Sequence, residues 1–348
     1  MRVLERGTID DNGSAFAQVA MMGDGALLCT FSNAGGQFAT GGTSQSRSDD
    51  GRTWSEAEVI FPATRSPRST NFLKPTRSRA TGTVFAYGAR QSQPDGTVFD
   101  DRRYDAVLIR SDDDGRTWQE PTVVPFPTRA LEISHGILAL ASGRLLAPAA
   151  TTEPGRLGER VLVAISDDDG LSWPDHATAL VDPDEQLGFL EQKLTLLDDG
   201  RILATSWAVS LDDCTDRPNH FSLSDDDGQT WSVPKSMGID GQTLSAVHLG
   251  GERFLLAYNR RYGDQGVVVA LATFGGEEWK VDQDLLAYDP ASQRTGRVAQ
   301  SLADEMLDFA FGFPTLTRLK DSTVLLTYWS VEGDRCGIRW AHIDASAA

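Results

Sequence analysis

The 348-residue chain contains little cysteine, little histidine and no long apolar segment. Its cysteines, Cys29, Cys214 and Cys336, are widely separated and lack metal-site spacing, so we expect reduced packing residues rather than disulfides. No apolar run approaches the length of a membrane span, and the N-terminus does not resemble a signal peptide. We therefore expect a cytoplasmic location, although a secreted protein whose leader had been removed would look the same.

Basic residues are few relative to acidic ones. The chain has 32 Lys and Arg against 50 Asp and Glu, which gives a formal net charge of −18. Recognition of phosphates requires a basic surface, so nucleic acids and anionic membranes are not expected as partners. No Pro/Ser-rich linker divides residues 1–348, which predicts one domain. No cofactor is expected, and the sequence gives no indication of the oligomeric state.

An acidic motif, Ser-Asp-Asp-Asp-Gly-x-Thr-Trp or a close variant, occurs four times. The copies end at Trp54, Trp118, Trp173 and Trp231. Glycine tolerates the positive φ of a tight turn, and an aspartate can accept backbone N–H bonds inside it. A calcium loop would need a bidentate glutamate at its end, and every copy lacks one. The motif therefore predicts a turn between strands, with each tryptophan packed over its own module.

A second turn recurs between the copies of the first and is followed each time by an apolar strand. Its six occurrences lie at 24–25, 81–82, 142–143, 199–200, 250–251 and 321–322. With the strands around the acidic motif, each module has four predicted strands. Six such modules predict an all-β protein, a six-bladed β-propeller of four-stranded antiparallel blades. The last module lacks its fourth strand, and residues 2–9 are the expected donor.

The acidic repeat resembles the Asp-box of the sialidase (neuraminidase) superfamily, and the six-module organisation covers essentially the whole chain. This resemblance implies that the Asp-boxes lie on the face opposite the active site. The same fold carries hydrolases, trans-glycosidases, lyases and binding proteins. Function must therefore be sought on the other face.

Several positions depart from the sialidase pattern. Residues 15–19 contain no counterpart of the first sialidase arginine, and residues 33–43 contain no acid/base aspartate. Trp207 stands where the family has an arginine, and Phe313 stands where it has the nucleophilic tyrosine. A phenyl ring has no oxygen to form a glycosyl intermediate. We therefore predict that ordinary sialidase activity is absent.

Other positions agree with the family or carry suitable chemistry. Glu191 matches a family glutamate, and residues 255–261 resemble the segment that delivers the third arginine. We predict that Glu191 is catalytic, paired with Glu132 or Glu153 as acid and base or nucleophile, with His135 as a further candidate base. The predicted substrate-binding residues are Arg68, Lys74, Arg90, Lys193, Trp207, Arg260, Arg261, Tyr262 and Trp329.

Structural interpretations compete with several of these assignments. Trp207 and Trp329 occupy equivalent predicted positions in blades four and six, and Tyr258 occupies that position in blade five. The two tryptophan rings are expected either to stack on a sugar or to pack between blades. His135 is a base or a hydrogen-bonded structural residue. The acidic and basic residues at 100–103 are expected either to contact a ligand or to form a loop that is only exposed to solvent. The segment 287–308 is long enough for a lid or an interface.

Three functions follow from these residues. The first is an exo-glycoside hydrolase that acts on an anionic or uronic-acid-like sugar through two carboxyl groups. The second is a lyase that uses His135 or Tyr262 as its base. The third is a non-catalytic propeller that binds glycans. Two acids within roughly 5 to 10 Å favour hydrolysis, whereas an isolated Glu191 beside exposed Trp207 and Trp329 favours binding.

Overall fold

The computed structural model describes residues 1–33, 41–93, 103–290, 310–333 and 335–346. These residues form 26 strands arranged in six antiparallel sheets. The sheets are the blades of a six-bladed β-propeller, so the predicted all-β fold is confirmed. In the described part of the chain, no helix has the length and apolarity needed to cross a membrane.

The strands follow one another along the chain blade by blade. The first half of the chain contains β1 (Arg2–Asp10) of blade 6, then β2 (Ala15–Met21), β3 (Leu27–Ser32), β4 (Thr43–Ser48) and β5 (Glu58–Phe61) of blade 1, β6 (Arg68–Asn71), β7 (Lys74–Arg77), β8 (Val84–Gln93), β9 (Arg103–Ser111) and β10 (Thr122–Val123) of blade 2, and β11 (Leu131–Glu132), β12 (Leu138–Ala139), β13 (Leu145–Glu153), β14 (Arg156–Ser166) and β15 (Asp175–Val181) of blade 3. The second half contains β16 (Leu187–Leu196), β17 (Ile202–Ser210), β18 (Asp216–Ser224) and β19 (Lys235–Ser236) of blade 4, β20 (Gln242–Gly250), β21 (Arg253–Arg260), β22 (Gly266–Phe274) and β23 (Trp279–Tyr288) of blade 5, and β24 (Phe311–Arg318), β25 (Val324–Glu332) and β26 (Arg335–Asp344) of blade 6.

The innermost strand is interrupted in two blades. In blade 2, β6 and β7 both pair with β8, and in blade 3, β11 and β12 both pair with β13. These sheets therefore contain five strand segments rather than four. The interruptions leave irregular backbone where the blades converge on the axis, and residues 133–137 of this backbone carry His135.

The ring closes with the N-terminal strand. β1 pairs antiparallel with β26, from Arg2 opposite Asp344 to Asp10 opposite Ile338. β1 thus supplies the outer strand of blade 6, as the missing fourth strand predicted. Closure of this kind leaves blade 6 with the same four-stranded form as blades 1, 4 and 5.

The hydrophobic core is divided among the junctions between neighbouring blades. Each junction holds its own apolar cluster, as between blades 3 and 4, where Val163 and Phe189 are fully buried. Comparable clusters join the other neighbouring pairs, including blades 1 and 6. Full burial of one such side chain is worth about 1.5–3 kcal/mol, so these junctions hold the ring together.

The acidic turns have the predicted hydrogen bonds. Gly115 has a φ of 78° and Asp113 Oδ1 accepts the backbone N–H groups of Arg116 and Thr117. The prediction that each tryptophan packs over its own module is confirmed in part: Trp118 contacts the cluster of its own blade that includes Val107 and Ile109, and Trp231 Nε1–H donates to the carbonyl oxygen of Gly228 in its own turn at 3.0 Å. Trp118 also reaches blade 1, where its Nε1–H donates to Gln45 Oε1 at 3.2 Å and its ring packs against the cluster that contains Met22 and Leu28. The acidic turns therefore link adjacent blades.

Three of the sequence-based hypotheses lie outside the described residues. They concern the segment that would carry an acid/base aspartate, which includes 34–40, the charged positions 100–102, and most of the predicted lid at 287–308. Arg103, the last residue of the charged run, is exposed at the start of β9.

Candidate active site

Four of the innermost strands carry a β-bulge at corresponding positions. In blade 4 the regular pairing of β16 with β17 is interrupted between Leu190 and Lys193. The innermost strands of blades 1, 5 and 6 are interrupted at the equivalent place. One residue in each bulge has a positive φ between 52° and 59°: Phe16, Glu191, Thr243 and Phe313. This conformation costs about 1–3 kcal/mol in a non-glycine residue and frequently marks functional positions. The four side chains therefore occupy equivalent places in their blades.

Glu191 is held by two neighbouring blades. Its Oε2 accepts a hydrogen bond from the Thr243 hydroxyl of blade 5. Its backbone N–H, which the bulge removes from the strand ladder, donates to Glu132 Oε2 of blade 3 at 3.0 Å. This bond limits the separation of the two carboxyl groups to roughly 10 Å, because a glutamate carboxylate lies only a few ångströms from its own nitrogen.

Glu132 is partly buried at the end of β11. Its Oε1 accepts a hydrogen bond from the Ser134 hydroxyl, and its Oε2 accepts the one from Glu191 N–H. Burial, helped by the negative charge of Glu191, raises the pKa of Glu132 to about 7, and the two hydrogen bonds and Lys74 oppose the increase. A carboxyl group with this pKa can carry a proton at neutral pH and donate it.

Two buried lysines accompany the acids. Lys74 and Lys193 lie at the same inner-strand register of blades 2 and 4, with side chains fully buried. Lys74 Nζ donates to the carbonyl oxygen of Ile133 at 2.9 Å, and Lys193 Nζ donates to those of Thr243 at 3.3 Å and Pro314 at 3.0 Å. Burial lowers the pKa of both ammonium groups, and Glu132 and Glu191 partly offset this effect.

His135 lies close to the lysines. Burial and the positive charges of Lys193 and Lys74 lower its pKa to about 3, so the imidazole is neutral at neutral pH. Its Nδ1 is buried and accepts or donates no hydrogen bond within the described residues. A weakly basic, neutral imidazole is poorly matched to proton abstraction near neutral pH.

A third carboxyl group, not anticipated from the sequence, lies beside Glu191. Asp216, at the start of β18, accepts a hydrogen bond of 2.9 Å from Trp207 Nε1–H and another from the Gln242 side-chain amide. Burial raises its pKa, and the charges of Arg261 and Glu191 also act on it. The Arg261 guanidinium lies 5.9 Å from the centre of a Trp207 ring. Trp207 thus contacts both Asp216 and Arg261, and its own strand partner is Leu190, the residue before Glu191.

The two tryptophans lie where the register predicts but are buried. Trp207 pairs with Leu190 and Trp329 pairs with Gly312, which are equivalent positions just before the bulges. Their exposures are 6% and 2%, so neither ring offers an open face on which a sugar could stack. Both belong to the apolar clusters of their blades.

The corresponding position of blade 5 corrects one expectation. Asn259, not Tyr258, pairs with Gln242 just before the bulge. A second irregularity in this strand, between His248 and Gly250, shifts its register relative to the turn by one residue. Counting residues from the turn therefore gives Tyr258, one residue before the equivalent position, Asn259.

Phe313 is a packing residue. It is 2% exposed and lies 5.6 Å from Phe16, ring centre to ring centre, and Phe16 in turn lies 6.0 Å from Trp329. Phe16 also contacts Phe72 at 5.3 Å. The bulge positions of blades 1 and 6 thus form an aromatic wall, opposite in character to the charged side formed by blades 3 and 4.

The other sequence-predicted residues have different contacts. Glu153 is exposed, three residues beyond the partner of Glu132 on β13, and accepts the Thr128 hydroxyl at 2.5 Å. Arg90 forms a salt bridge of 2.8 Å with Asp105. Their assigned roles remain predictions.

Three more predicted residues lie toward the ends of blades 2 and 5. Arg68 is exposed on β6, the Arg260 guanidinium donates to the carbonyl oxygen of Asp264 at 2.5 Å within its own hairpin, and Tyr262 is 37% exposed. None of the hydrogen bonds described for Arg260 reaches the acid pair. Among the described residues, no group of three or more His, Cys, Asp or Glu is arranged to hold a metal ion.

Comparison with solved structures relates this fold to known proteins. A protein of unknown function from Dyadobacter fermentans is 20% identical over 98% of both chains, with a TM-score of 0.76. The NanB sialidase from Streptococcus pneumoniae is 12% identical over 99% of this chain and 70% of its own, with a TM-score of 0.71. The α-L-arabinanase of Penicillium chrysogenum, in complex with arabinobiose, is 16% identical over 99% of both chains, with a TM-score of 0.68.

Sequence comparison identifies the family. No curated protein matches the chain. The family model described as a BNR repeat-like domain matches residues 42–326, most of the chain. The chain is therefore a member of the BNR repeat-like domain family and has the six-bladed fold of the sialidase superfamily.

Proposed function

We propose that this protein is a glycoside hydrolase in which Glu132 is the general acid and Glu191 is the base or nucleophile. The observation that carries the proposal is the hydrogen bond of 3.0 Å that joins Glu191 N–H to the Glu132 carboxyl group. Glycosidases require one carboxyl that keeps its proton and a second that remains ionised. The raised pKa of Glu132, about 7, suits the first role.

The geometry is compatible with retention or inversion of the anomeric centre. Retaining glycosidases place their carboxyl groups roughly 5 Å apart, and inverting enzymes roughly 6.5–9.5 Å apart. Both ranges fall within the limit that the Glu191–Glu132 hydrogen bond sets. The configuration of the first sugar product, followed by NMR during turnover, distinguishes the two.

The substrate in this proposal is a sugar released from a chain end, with an anionic or uronic-acid-like residue as the first choice. The guanidinium of Arg261, next to Trp207, is the candidate partner for a sugar carboxylate. Structural similarity to a sialidase, and to an arabinanase solved with arabinobiose, supports a sugar substrate. Phe313 at the bulge of blade 6 argues against the usual sialidase reaction.

The test is a screen followed by substitution of the acids. Aryl glycosides of uronic acids, sialic acid and arabinofuranose, together with the matching oligosaccharides, are assayed for release of sugar. On the best substrate, Glu132→Gln and Glu191→Gln are each expected to lower kcat/KM by roughly 10²- to 10⁴-fold. Glu153→Gln tests the other predicted partner of Glu191: because Glu153 is exposed on the same blade as Glu132, we expect this variant to keep its activity if Glu132 is the acid.

Other outcomes identify the alternatives. Full activity in Glu191→Gln would contradict the assignment. An unsaturated product that absorbs ultraviolet light would identify a lyase. Binding of a glycan without turnover by the wild-type protein would identify a carbohydrate-binding propeller.

A further inference from the structure

We propose that Phe16 and Phe72 form an aromatic platform on which the sugar ring stacks, across the propeller axis from Glu191. The inference deepens the proposed glycosidase function, because it names the residues that hold the reacting ring, and it rests on that function for its catalytic meaning. It gives these two phenylalanines the role expected of Trp207 and Trp329, whose rings are buried.

One residue from each blade lies at the level of the bulges, around the axis. In chain order these residues are Phe16, Phe72, Glu132, Glu191, Thr243 and Phe313. Phe72 belongs to this level because it lies two residues before Lys74, which has the same register as Lys193. Glu132 belongs to it because its carboxyl group accepts the N–H of Glu191. Three consecutive blades, 6, 1 and 2, thus present phenylalanine, and the other three present two glutamates and a threonine.

The aromatic half of this level faces the acidic half. Neighbouring blades contact one another in the order of the sequence, so blade 1 lies across the axis from blade 4, and blade 2 lies across it from blade 5. Phe16 is therefore opposite Glu191, and Phe72 is opposite Thr243, whose hydroxyl donates to Glu191. A ligand on the axis has apolar rings on one side and hydrogen-bonding groups on the other, as is typical of small-molecule sites.

Contacts between the rings hold the platform in place. The Phe16 ring centre lies 5.3 Å from that of Phe72, with 37° between the ring planes. Phe313 meets Phe16 edge-on, at 5.6 Å and 89°. Phe313 is 2% exposed, whereas Phe16 and Phe72 are both partly exposed. Phe313 therefore supports the platform, and the other two rings supply its accessible surface.

The platform is close to the second acid as well. Lys74 Nζ lies 3.8 Å from the centre of the Phe72 ring and donates to the carbonyl oxygen of Ile133 at 2.9 Å. Ile133 directly follows Glu132 in the chain. These two short contacts bring the Phe72 ring close to the segment that carries the proposed general acid.

The chemistry of a sugar ring matches this arrangement. A sugar has polar hydroxyl groups at its edge and C–H groups on its faces. The face of a phenyl ring is partially negative and attracts weakly positive C–H groups. During cleavage of a glycoside the sugar ring also gains positive charge, which an aromatic face stabilises further. The platform therefore selects substrates whose reacting ring presents several C–H groups on one face.

The experiment changes the aromatic character of the platform and measures sugar binding. Phe16→Leu and Phe72→Leu remove one ring each, and replacement of Phe16 by pentafluorophenylalanine reverses the charge of the ring face with little change in its volume. The probes are N-acetylneuraminic acid, D-glucuronic acid and L-arabinose, the free sugars of the screened glycosides. For the sugar that binds best, we expect the dissociation constant to rise roughly 3- to 10-fold in each variant.

A spectroscopic signature distinguishes stacking from a merely structural role. Protons that lie over an aromatic ring move upfield in the NMR spectrum, so the C–H protons of one face of the bound sugar should shift upfield with the wild type. These shifts should shrink in Phe16→Leu and in Phe72→Leu. Phe16→Tyr keeps the ring and should retain both the shifts and the affinity.

Phe85→Leu is the matched control for loss of a phenyl ring. Phe85 is on the same blade as Phe72 but is fully buried. It lies toward the opposite face of the propeller, since a Cβ at Gly170 of an acidic turn would lie 3.5 Å from its ring. This variant should lose stability and bind the sugar as the wild type does.

The outcomes separate this inference from the proposed function. Unchanged affinity in Phe16→Leu and Phe72→Leu, a bound sugar without upfield shifts, or no binding of any of the three sugars overturns the platform. If the leucine variants do not fold, the pentafluorophenylalanine variant decides: affinity equal to that of the wild type overturns the platform. Ring-dependent binding without turnover of any glycoside would contradict the hydrolase and leave the platform intact. Turnover that none of these variants changes would leave the hydrolase intact and overturn the platform.

Discussion

The backbone N–H of Glu191 donates a 3.0 Å hydrogen bond to the carboxyl group of Glu132, so the two acids are joined through the main chain as well as through their charges. The β-bulge makes this possible, since it removes the N–H of Glu191 from the strand ladder of blade 4. The orientation of Glu132 therefore depends on the backbone of a neighbouring blade. Substitution of the Glu191 side chain leaves this bond available.

Thr243→Val should impair catalysis without altering the backbone. Valine has the size and β-branching of threonine, so the cost of the φ of 56° is unchanged, but Glu191 loses the hydroxyl that donates to it. A hydrogen bond to a charged group is worth roughly 1.5–3 kcal/mol, so we expect kcat/KM to fall roughly 10- to 100-fold. Thr195→Val is the control, since its hydroxyl donates to the Ala246 carbonyl oxygen. Equal activity of the two variants would contradict the role of Thr243.

Glu132→Gln should reduce the pH dependence of stability. The pKa of Glu132 is about 7 in the folded protein against a usual value of 4.5. Its contribution to stability is therefore fully present below pH 4.5 and is lost as pH rises through 7. Between pH 5 and 8 the wild type should lose up to about 3 kcal/mol more unfolding free energy than Glu132→Gln.

Urea unfolding of both proteins at several pH values measures this difference. Glu153→Gln, on the same blade but exposed, should behave like the wild type. Parallel stability curves for the wild type and Glu132→Gln would contradict a raised pKa at this site.

Asp216→Ala should destabilise the fold more than Asp216→Asn. Alanine leaves the Trp207 Nε1–H and the Gln242 amide without their acceptor, and Trp207 is 6% exposed. An unsatisfied buried donor costs roughly 1–3 kcal/mol. Asparagine keeps a carbonyl oxygen for the Trp207 N–H, so its loss should be smaller. Urea midpoints at pH 7 provide the comparison, and equal midpoints for the two variants would refute the argument.

The architecture follows from local signals in the sequence. A turn that needs a positive φ selects glycine, and Gly51, Gly115, Gly170 and Gly228 have values between 70° and 83°. The missing last strand of blade 6 identifies β1 as its donor because only one strand precedes the first blade. These features depend on a few adjacent residues, which a single sequence displays.

The candidate site can be predicted from the sequence only in part. Glu191 and Phe313 each lie nine residues before the positive-φ residue of the following turn, Gly200 and Ser322, and so does Phe16 before Gly25. That spacing marks the bulge and could have been recognised. It fails in blade 5, where a second irregularity displaces the register.

Other parts of the site depend on contacts between blades, which no spacing within a blade reveals. Thr243 and Glu132 reach Glu191 from the neighbouring blades on either side. Asp216 lies at the start of a strand after a loop with no repeat of its own, and its role is evident only from Trp207 and Gln242. The burial of Trp207 and Trp329 likewise reflects how closely adjacent blades pack.

The pairing of β1 with β26 also determines the order in which the molecule can be completed. Arg2 and Asp344 are opposite each other, so blade 6 cannot be completed until residue 344 has been synthesised. Blades 1 to 5 each consist of consecutive strands, so none of them requires a strand from the other end of the chain. Until β1 docks, the backbone groups of β26 form an open edge that can pair with another chain. Docking of β1 therefore covers the edge of β26 that would otherwise be open to pairing with another chain.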